Sequence, residues 1–438
     1  MFKTIALLLI ISFIFIGGLG LLALQSTPQF TNNKTVNVLA ATQSKKAAKR
    51  FITSLKTKKQ PVILSLSQTE INGLNALLNR AFPQIVSDVI IDNTNAKINL
   101  SVELPLPKLI KYLNISGDLY PSNKGLELGD IDIGSLTISG NTLVSFSRWF
   151  IDTFVQDEMG TELVSMVQWV TLNNSYLKSS LLIPKDMSPL KQGKSGLLVL
   201  RDNLALFGDV NRVKVYYQAL VTHLDELNNS AVKNRQLSYY IQFIFTLARN
   251  TVNEESSQVA LKENHAALMA LALYFGSDSF EVLVGDVSNL SLAQKSTRNF
   301  LRNKVMLRNR VDLQKHFMYS VALQLFGNNS ASDAIGELKE LLDSNPGGSG
   351  FSFADLMADR AGTRLAKLAT ISNTSASRLQ KLLSGHIQES DFMPDIQGMP
   401  EGISSDVFNA DYKDVNSKEY KQMLSVLDER LAELTLYN

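Results

Sequence analysis

The chain of 438 residues contains no cysteine, which excludes disulfides, thiolate metal sites and a cysteine nucleophile. Histidine is scarce, with four in the chain, His223, His265, His316 and His386. None forms an H-E-x-x-H or another i, i+4 pair, so no metal-ligand spacing lies on any one helix and a metal site would need convergence from distant segments. No G-x-S-x-G elbow is present to supply a serine nucleophile. The sequence also lacks a repeat period and any low-complexity segment. Acidic residues are missing from residues 1 to 69, a stretch that holds nine basic side chains, Lys3, Lys34, Lys45, Lys46, Lys49, Arg50, Lys56, Lys58 and Lys59. Of the 43 basic and 41 acidic residues, 34 and 41 therefore lie beyond residue 69. A net-acidic body argues against nucleic-acid binding, which needs a basic face. The basic neck suits phosphate-rich surfaces, most simply the headgroups of membrane lipid.

What the sequence does contain is an uncharged run of 20 residues from Ile5 to Leu24, IALLLIISFIFIGGLGLLAL. At about 1.5 Å per residue a helix of that length crosses a hydrocarbon core of roughly 30 Å. The run ends LLALQSTPQ, with Leu22 and Leu24 where a cleavage site wants small residues, so the expectation is an uncleaved anchor. It predicts a single-pass protein of the inner membrane with its body in the periplasm. Residues 26–60 read as a basic tether. With 45% hydrophobic residues the remainder fills two cores, an α+β domain over 61–187 and a mainly α-helical domain over 188–438. The fold class expected is thus α+β behind a transmembrane helix.

In the first domain Ser67 and Glu70 form a capping box ahead of the apolar stripe Ile71, Leu74, Leu77, Leu78 and Phe82. Ala96, Ile98, Leu100, Val102 and Leu104 alternate with polar residues, as on a sheet buried on one face. Along GLELGDIDIGSLTISG the apolar parity switches at Gly129 and Gly134, which suggests bulges in a curled antiparallel sheet. Helices are expected at 142–156 and 161–171, and a strand at 176–183. In the second domain helical periodicity covers Val210–Leu227, Leu237–Thr251, Gln258–Phe275, Thr297–Phe326, Ala331–Asp343, Ser352–Thr370 and Ser417–Leu436, with 391–416 wrapping the surface.

Gly193-Lys194-Ser195 lacks the first glycine of a phosphate loop, because Ser188 stands there, and reads as an inter-domain turn. The informative stretch is GGSGFSFADLMADRAGTR, 347–364. Pro346 and the glycines end one helix, Ser352 caps the next with Asp355 at the capping-box position, and Ala358, Gly362 and Ala366 make a smooth stripe for close helix packing. This is the reading of an αα-corner. The chemical reading rests on carboxylates: Glu337 and Glu340 belong to an acidic stripe with Asp333 opposite Ala334, Ile335, Leu338, Leu341 and Leu342, and Asp355 and Asp359 stack one turn apart. Like charges at i, i+4 repel by a few tenths of a kcal/mol, and Arg360 and Arg364 are the nearby offsets. His316 borders the stripe Leu313, Phe317 and Val321, with Ser320 one turn away.

At RVDLQKHFMYSVALQLFG, AIGELKELLDS, GGSGFSFADLMADRAGTRLA and MPEGISSDVF the second domain resembles a group of uncharacterised membrane-anchored envelope proteins of proteobacteria. The resemblance implies an envelope location and brings no activity and no site residue with it.

The function expected first is a non-enzymatic binding or scaffold module, partnered by an envelope protein, lipid or cell-wall polymer. The alternative is a hydrolase, acting on glycan strands, that uses Glu337, Glu340, Asp355 and Asp359, with His316 as a further candidate. No cofactor and no metal are expected. Burial of these carboxylates as a perturbed cluster favours the enzyme; exposure on a convex face favours the binder.

Overall fold

The computed structural model divides into two units, Met1–Leu197 and Leu198–Asn438. It describes residues 20, 22–31, 36–56, 60–154, 158–173, 175–183, 209–228, 235–251, 257–277, 290–326 and 329–437.

The first unit holds the strands β1 (Leu24–Gln25), β2 (Val62–Ser67), β3 (Ile85–Ile91), β4 (Ala96–Glu103), β5 (Tyr112–Tyr120), β6 (Glu127–Ile133), β7 (Leu136–Ser139), β8 (Val167–Asn173) and β9 (Tyr176–Leu181). Its helices are α1 (Val38–Lys56), α2 (Gln68–Ala81), α3 (Gly140–Phe154) and α4 (Met159–Ser165). One antiparallel sheet runs β3-β4-β5-β6-β7 with β1 added to β5, and a smaller one runs β2-β9-β8. The alternation around Ile98 becomes β4, whose Ile98 sits between Val89 and Gly117. Two residues of β6, Gly129 and Asp130, lie between its pairs to Gly117 and Leu119, which is the expected bulge. Gly134, at φ +60, instead occupies the two-residue β6–β7 turn, where a left-handed first position favours glycine. The core joins Ile71 of α2 to Ile91, Ala96, Leu119 and Val170 from both sheets.

Several expectations are corrected. Among the described residues no helix is long and apolar enough to cross a membrane. The run ends in a strand only at its last residue: Leu24 pairs with Leu113, while Gly20, Leu22 and Ala23 just before it are helical, and the Leu22 carbonyl accepts from Ser135 N at 2.8 Å. The transmembrane fold class and the single-pass inner-membrane and periplasmic location read from it do not stand; the earlier part of the run, 5–19, lies outside the described residues. The basic tether is also replaced over much of its length by α1. Val38, Ala41, Ser44 and Ala47, three residues apart, are buried, and a Cβ on Gly73 of α2 would lie 2.7 Å from the Ala40 carbonyl oxygen. Small residues let the two helices touch, and a face of alanine and serine carries little hydropathy to betray itself. The helix expected at 161–171 ends at Ser165, and MVQWV, rich in β-branched and aromatic residues, enters β8.

The capping box forms as read, with Ser67 Oγ accepting from Glu70 N at 3.2 Å and Glu70 Oε2 accepting from Ser67 N at 3.0 Å. Glu70 also takes Arg50 of α1 at 2.5 and 2.7 Å. The Arg50 hydrogen bond, opposed by burial and aided by Ser67, lowers the Glu70 pKa to about 2. A depressed carboxylate contributes stability that is complete above its unfolded pKa and lost as pH falls through the folded one. Wild type is therefore expected to exceed Glu70→Gln in stability above about pH 4.5, with the gap closing toward pH 2. Arg50 is 44% exposed, so screening limits the gap to about 1 kcal/mol. Acid titration of both proteins by circular dichroism measures it, and a gap independent of pH would refute it.

The second unit is helical: α5 (Val210–Asn228), α6 (Leu237–Thr251), α7 (Ser257–Phe275), α8 (Leu292–Arg302), α9 (Val311–Phe326), α10 (Asn329–Asp343), α11 (Phe353–Thr370), α12 (Asn373–Leu383), α13 (Ser405–Asp411) and α14 (Lys418–Ala432). Every residue from Ala266 to Phe275 of α7 is buried, which marks a helix enclosed on all sides. The single helix expected over Thr297–Phe326 is broken into α8 and α9. Leu307 and Arg310 exchange backbone hydrogen bonds of 2.9 and 3.0 Å across Arg308 and Asn309, both left-handed at φ 51 and 63. The segment 391–416 contains α13, and the last expected helix closes at Ala432 before a 3₁₀ turn at Thr435–Tyr437. Gly193-Lys194-Ser195 lies outside the described residues.

Candidate functional site

The glycine-rich loop seats α11. Gly350, at φ +89, packs so closely on Gly402 that a Cβ would overlap its backbone. Phe351 then bridges to Ile403, donating at 2.7 Å and accepting at 3.0 Å, and its ring lies 4.6 Å from that of Phe408 and 5.1 Å from that of Phe353. With the loop fixed, Ser352 caps α11 by accepting from Asp355 N at 3.0 Å. The expected reciprocal bond from Asp355 is absent. The Ser352 N–H donates to Glu340 Oε2 of α10 at 3.0 Å, which leaves the Asp355 carboxylate to other partners.

Those partners gather around His316. On α9, His316 Nδ1 lies 3.2 Å from both oxygens of Asp359, and Ser320 Oγ, one turn on, donates to Asp359 Oδ1 at 2.8 Å. His316 Nε2 lies 3.4 Å from Asp355 Oδ2 and 3.8 Å from Glu340 Oε1. Room for Asp359 is made by Gly336 of α10, where a Cβ would come within 2.8 Å of Asp359 Oδ2. Ser332 Oγ and Thr363 Oγ1, 2.7 Å apart, join α10 to α11 behind the site. The side chains of Glu340, His316, Asp359 and Asp355 are 0, 6, 6 and 11% exposed. His316, Glu340 and Asp359 each present a ligand atom, all within 4.8 Å of one another.

Burial acts against charge on His316, but attraction and hydrogen bonding to Asp359, with Asp355 adding to them, raise its pKa to about 9. Burial pushes Glu340 up to about 7, against the pull of Lys339 and His316. Asp355 is raised as well, by burial first, with His316 opposing. Lys339 lies 3.1 Å from Glu340 and 2.7 Å from Asp343. Arg310 contacts Asp312 at 2.6 Å, Glu401 at 2.7 Å and Asp355 at 3.4 Å. Across these contacts six carboxylates, Glu340, Asp355, Asp359, Asp343, Asp312 and Glu401, face three cationic groups, His316, Lys339 and Arg310.

Of the residues singled out in the sequence, His316, Glu340, Asp355 and Asp359 converge. Glu337 is buried but outside this group, and acts on Arg360. On α10 the acidic residues Glu337 and Glu340 are thus buried alongside the apolar Ala334 and Leu341, while Ile335 is 39% exposed. Arg360 and Arg364 do not offset the carboxylates at the site: Arg360 reaches Asp428 at 2.5 Å, and Arg364 donates to the Tyr437 carbonyl at 3.2 Å. Their place is taken by Arg310 and Lys339, which sequence reasoning missed; the i, i+4 spacing of Lys339 and Asp343 was the available signal. Of the other histidines, His223 stacks on Phe243 with centroids 3.9 Å apart, and neither His265 nor His386 joins the cluster. No protein-family model matches the chain, and no curated protein or solved structure matches it.

Proposed function

We propose that the helical unit is a divalent-cation-dependent hydrolytic centre with His316, Glu340 and Asp359 as ligands. The observation that carries this reading is the burial of one imidazole and two carboxylates from three helices, with donor atoms inside 4.8 Å of one another. The imidazole is flanked by carboxylates at both ring nitrogens, with Asp359 at Nδ1, 3.2 Å away. His316, 5% exposed, aims Nε2 between Glu340 and Asp355 at ionic distance, 3.8 and 3.4 Å. Glu340, Asp355 and Asp359, buried side by side, repel one another when ionised, which a bound cation would relieve, and small side-chain rotations would bring the ligand donors to a common ion at about 2.0–2.2 Å. A mixed imidazole and carboxylate set suits Zn²⁺, Mn²⁺ or Fe²⁺ better than Ca²⁺. Three protein ligands leave a position for water, whose proton the cation makes easier to remove. Asp355 is the carboxylate left to accept that proton.

The buried, perturbed cluster is the feature that favours an enzyme over a binding module. The chain, stripped with a chelator and dialysed against Mn²⁺ or Zn²⁺, is expected to take up about one equivalent. His316→Ala and Asp359→Asn should lose well over tenfold in affinity, since loss of an outer-shell partner alone already costs about 10- to 100-fold. Equal uptake by wild type and both variants would overturn the site. Hydrolysis by the loaded protein of a chromogenic ester, phosphate or glycoside, lost in Asp355→Asn, is the expected activity. Cation uptake without turnover of any of the three would return the unit to a binding role.

A further inference from the structure

We infer that Arg310 holds Asp355 outside the ligand set, and so keeps a coordination position open at the cation centre. This rests on the cation reading above and adds the device that decides between an open site and a closed one.

Asp355 and Asp359 are one turn apart on the same face of α11, and both carboxylates approach His316, at 3.4 and 3.2 Å. Yet the convergent group contains only His316, Glu340 and Asp359. The difference lies in what holds each carboxylate. Asp359 is fixed toward the centre by Ser320, whereas Asp355 Oδ1 faces the Arg310 guanidinium at 3.4 Å. That guanidinium is itself immobilised. Its Nη1 donates to both oxygens of Glu401 at 2.7 and 2.8 Å, and Nε and Nη2 donate to Asp312 at 3.2 and 2.6 Å. A planar fork held at both ends has one orientation to offer.

The backbone beneath Arg310 is equally constrained. Two successive non-glycine residues, Arg308 and Asn309, adopt φ 51 and 63, conformations that persist only where surrounding contacts enforce them. Arg308 provides such contacts, donating from Nε to the Met393 carbonyl at 3.0 Å and from its backbone N–H to Glu389 at 2.7 Å. Arg310 is thus delivered to a fixed point beside Asp355. Sites with four protein ligands are closed and structural, while those with three keep a place for water or substrate. Arg310 is a positioning residue in this sense, acting on the cation only through Asp355.

The test counts inner-sphere waters on bound Mn²⁺ by water-proton relaxation, in the full chain, with folding checked by circular dichroism. Arg310→Met is expected to lose one water relative to wild type and to bind Mn²⁺ at least tenfold more tightly. Removing a positive charge also tightens binding without changing coordination, so the water count is the deciding readout. Arg310→Lys, which keeps the charge without the fork, should likewise lose one water and serves if the methionine variant does not fold. In an Asp355→Asn background neither change should alter the count. Mn²⁺ bound by wild type with the same number of waters in the Arg310 variants would overturn this inference alone. Absence of Mn²⁺ binding by wild type would sink it together with the cation reading.

Discussion

Gly362→Leu is expected to be the most damaging single substitution in the helical unit. At the crossing of α9 and α11 a Cβ on Gly362 would sit on the carbonyl oxygen of Phe317, well inside van der Waals contact. Ala358 and Ala366, one turn to either side, are fully buried, so there is no free space along the stripe into which a branched side chain can turn. Overpacking typically costs about 1 to 3 kcal/mol, and the upper end applies because the obstacle is backbone, which has no rotamer to change. For a unit of this size that corresponds to a fall of roughly 6 to 12 °C in Tm. The effect also reaches the site, since Phe317 adjoins His316: forcing the helices apart draws the imidazole away from Asp359, 3.2 Å distant. Cation uptake should weaken along with stability, and Gly362→Ala should show a smaller version of both. Thermal melts of the two variants measure the effect, and a Tm within a degree of wild type for Gly362→Leu would contradict the crossing.

Asp359→Asn is expected to destabilise the cation-free protein by about 3 kcal/mol, the cost of breaking a buried ion pair from one side. Two effects compete. Removing a carboxylate relieves repulsion with Glu340 and Asp355, but it also removes the principal partner of a buried imidazolium. The second wins, because attraction to the carboxylates raises the His316 pKa to about 9 in spite of burial, and a neutral amide supplies no charge to replace the one lost. A histidine whose pKa rises on folding contributes stability that is complete below its unfolded value of about 6.5, and that is lost as pH rises through the folded value. The gap between wild type and Asp359→Asn should therefore be widest below pH 6.5 and shrink toward pH 9. Glu340, pushed up to about 7 by burial, lowers wild-type stability in the same direction between about pH 4.5 and 7. Urea denaturation at pH 6, 7.5 and 9 in the presence of chelator measures the gap; a variant as stable as wild type at pH 6 would reverse the balance argued here.

Where local chemistry decides structure, the sequence was legible. Ser67 and Glu70 three residues apart can satisfy each other's backbone donors, and they do. Ser352 caps its helix, and Ala358, Gly362 and Ala366 meet a neighbour as their size allows. Four of the five candidate site residues converge, because carboxylates stacked at i, i+4 and a histidine on an apolar face are both unusual enough to notice. What failed was the inference of environment. Glu340 reads as solvated, since an isolated carboxylate prefers water, and only tertiary partners from α9 and α11 reverse that preference. Helix α1 escaped notice because its buried face is alanine and serine, where period and hydropathy give almost no signal. The apolar spacing predicts a continuous helix through Arg310, because it runs on through a turn whose left-handed residues, Arg308 and Asn309, are not glycine. The apolar run before Leu24 satisfied every compositional criterion for a membrane span, yet its end contributes a strand to a sheet.

Glu340 is fastened to two things at once: one oxygen lies 3.8 Å from His316, and the other receives the Ser352 amide at 3.0 Å. The amide proton of Ser352 is consequently a built-in reporter. Any event that pulls charge from Glu340 loosens its grip on that proton, so deuterium exchange at a single peptide spanning the glycine loop reads the electronic state of the centre without a substrate and without a label.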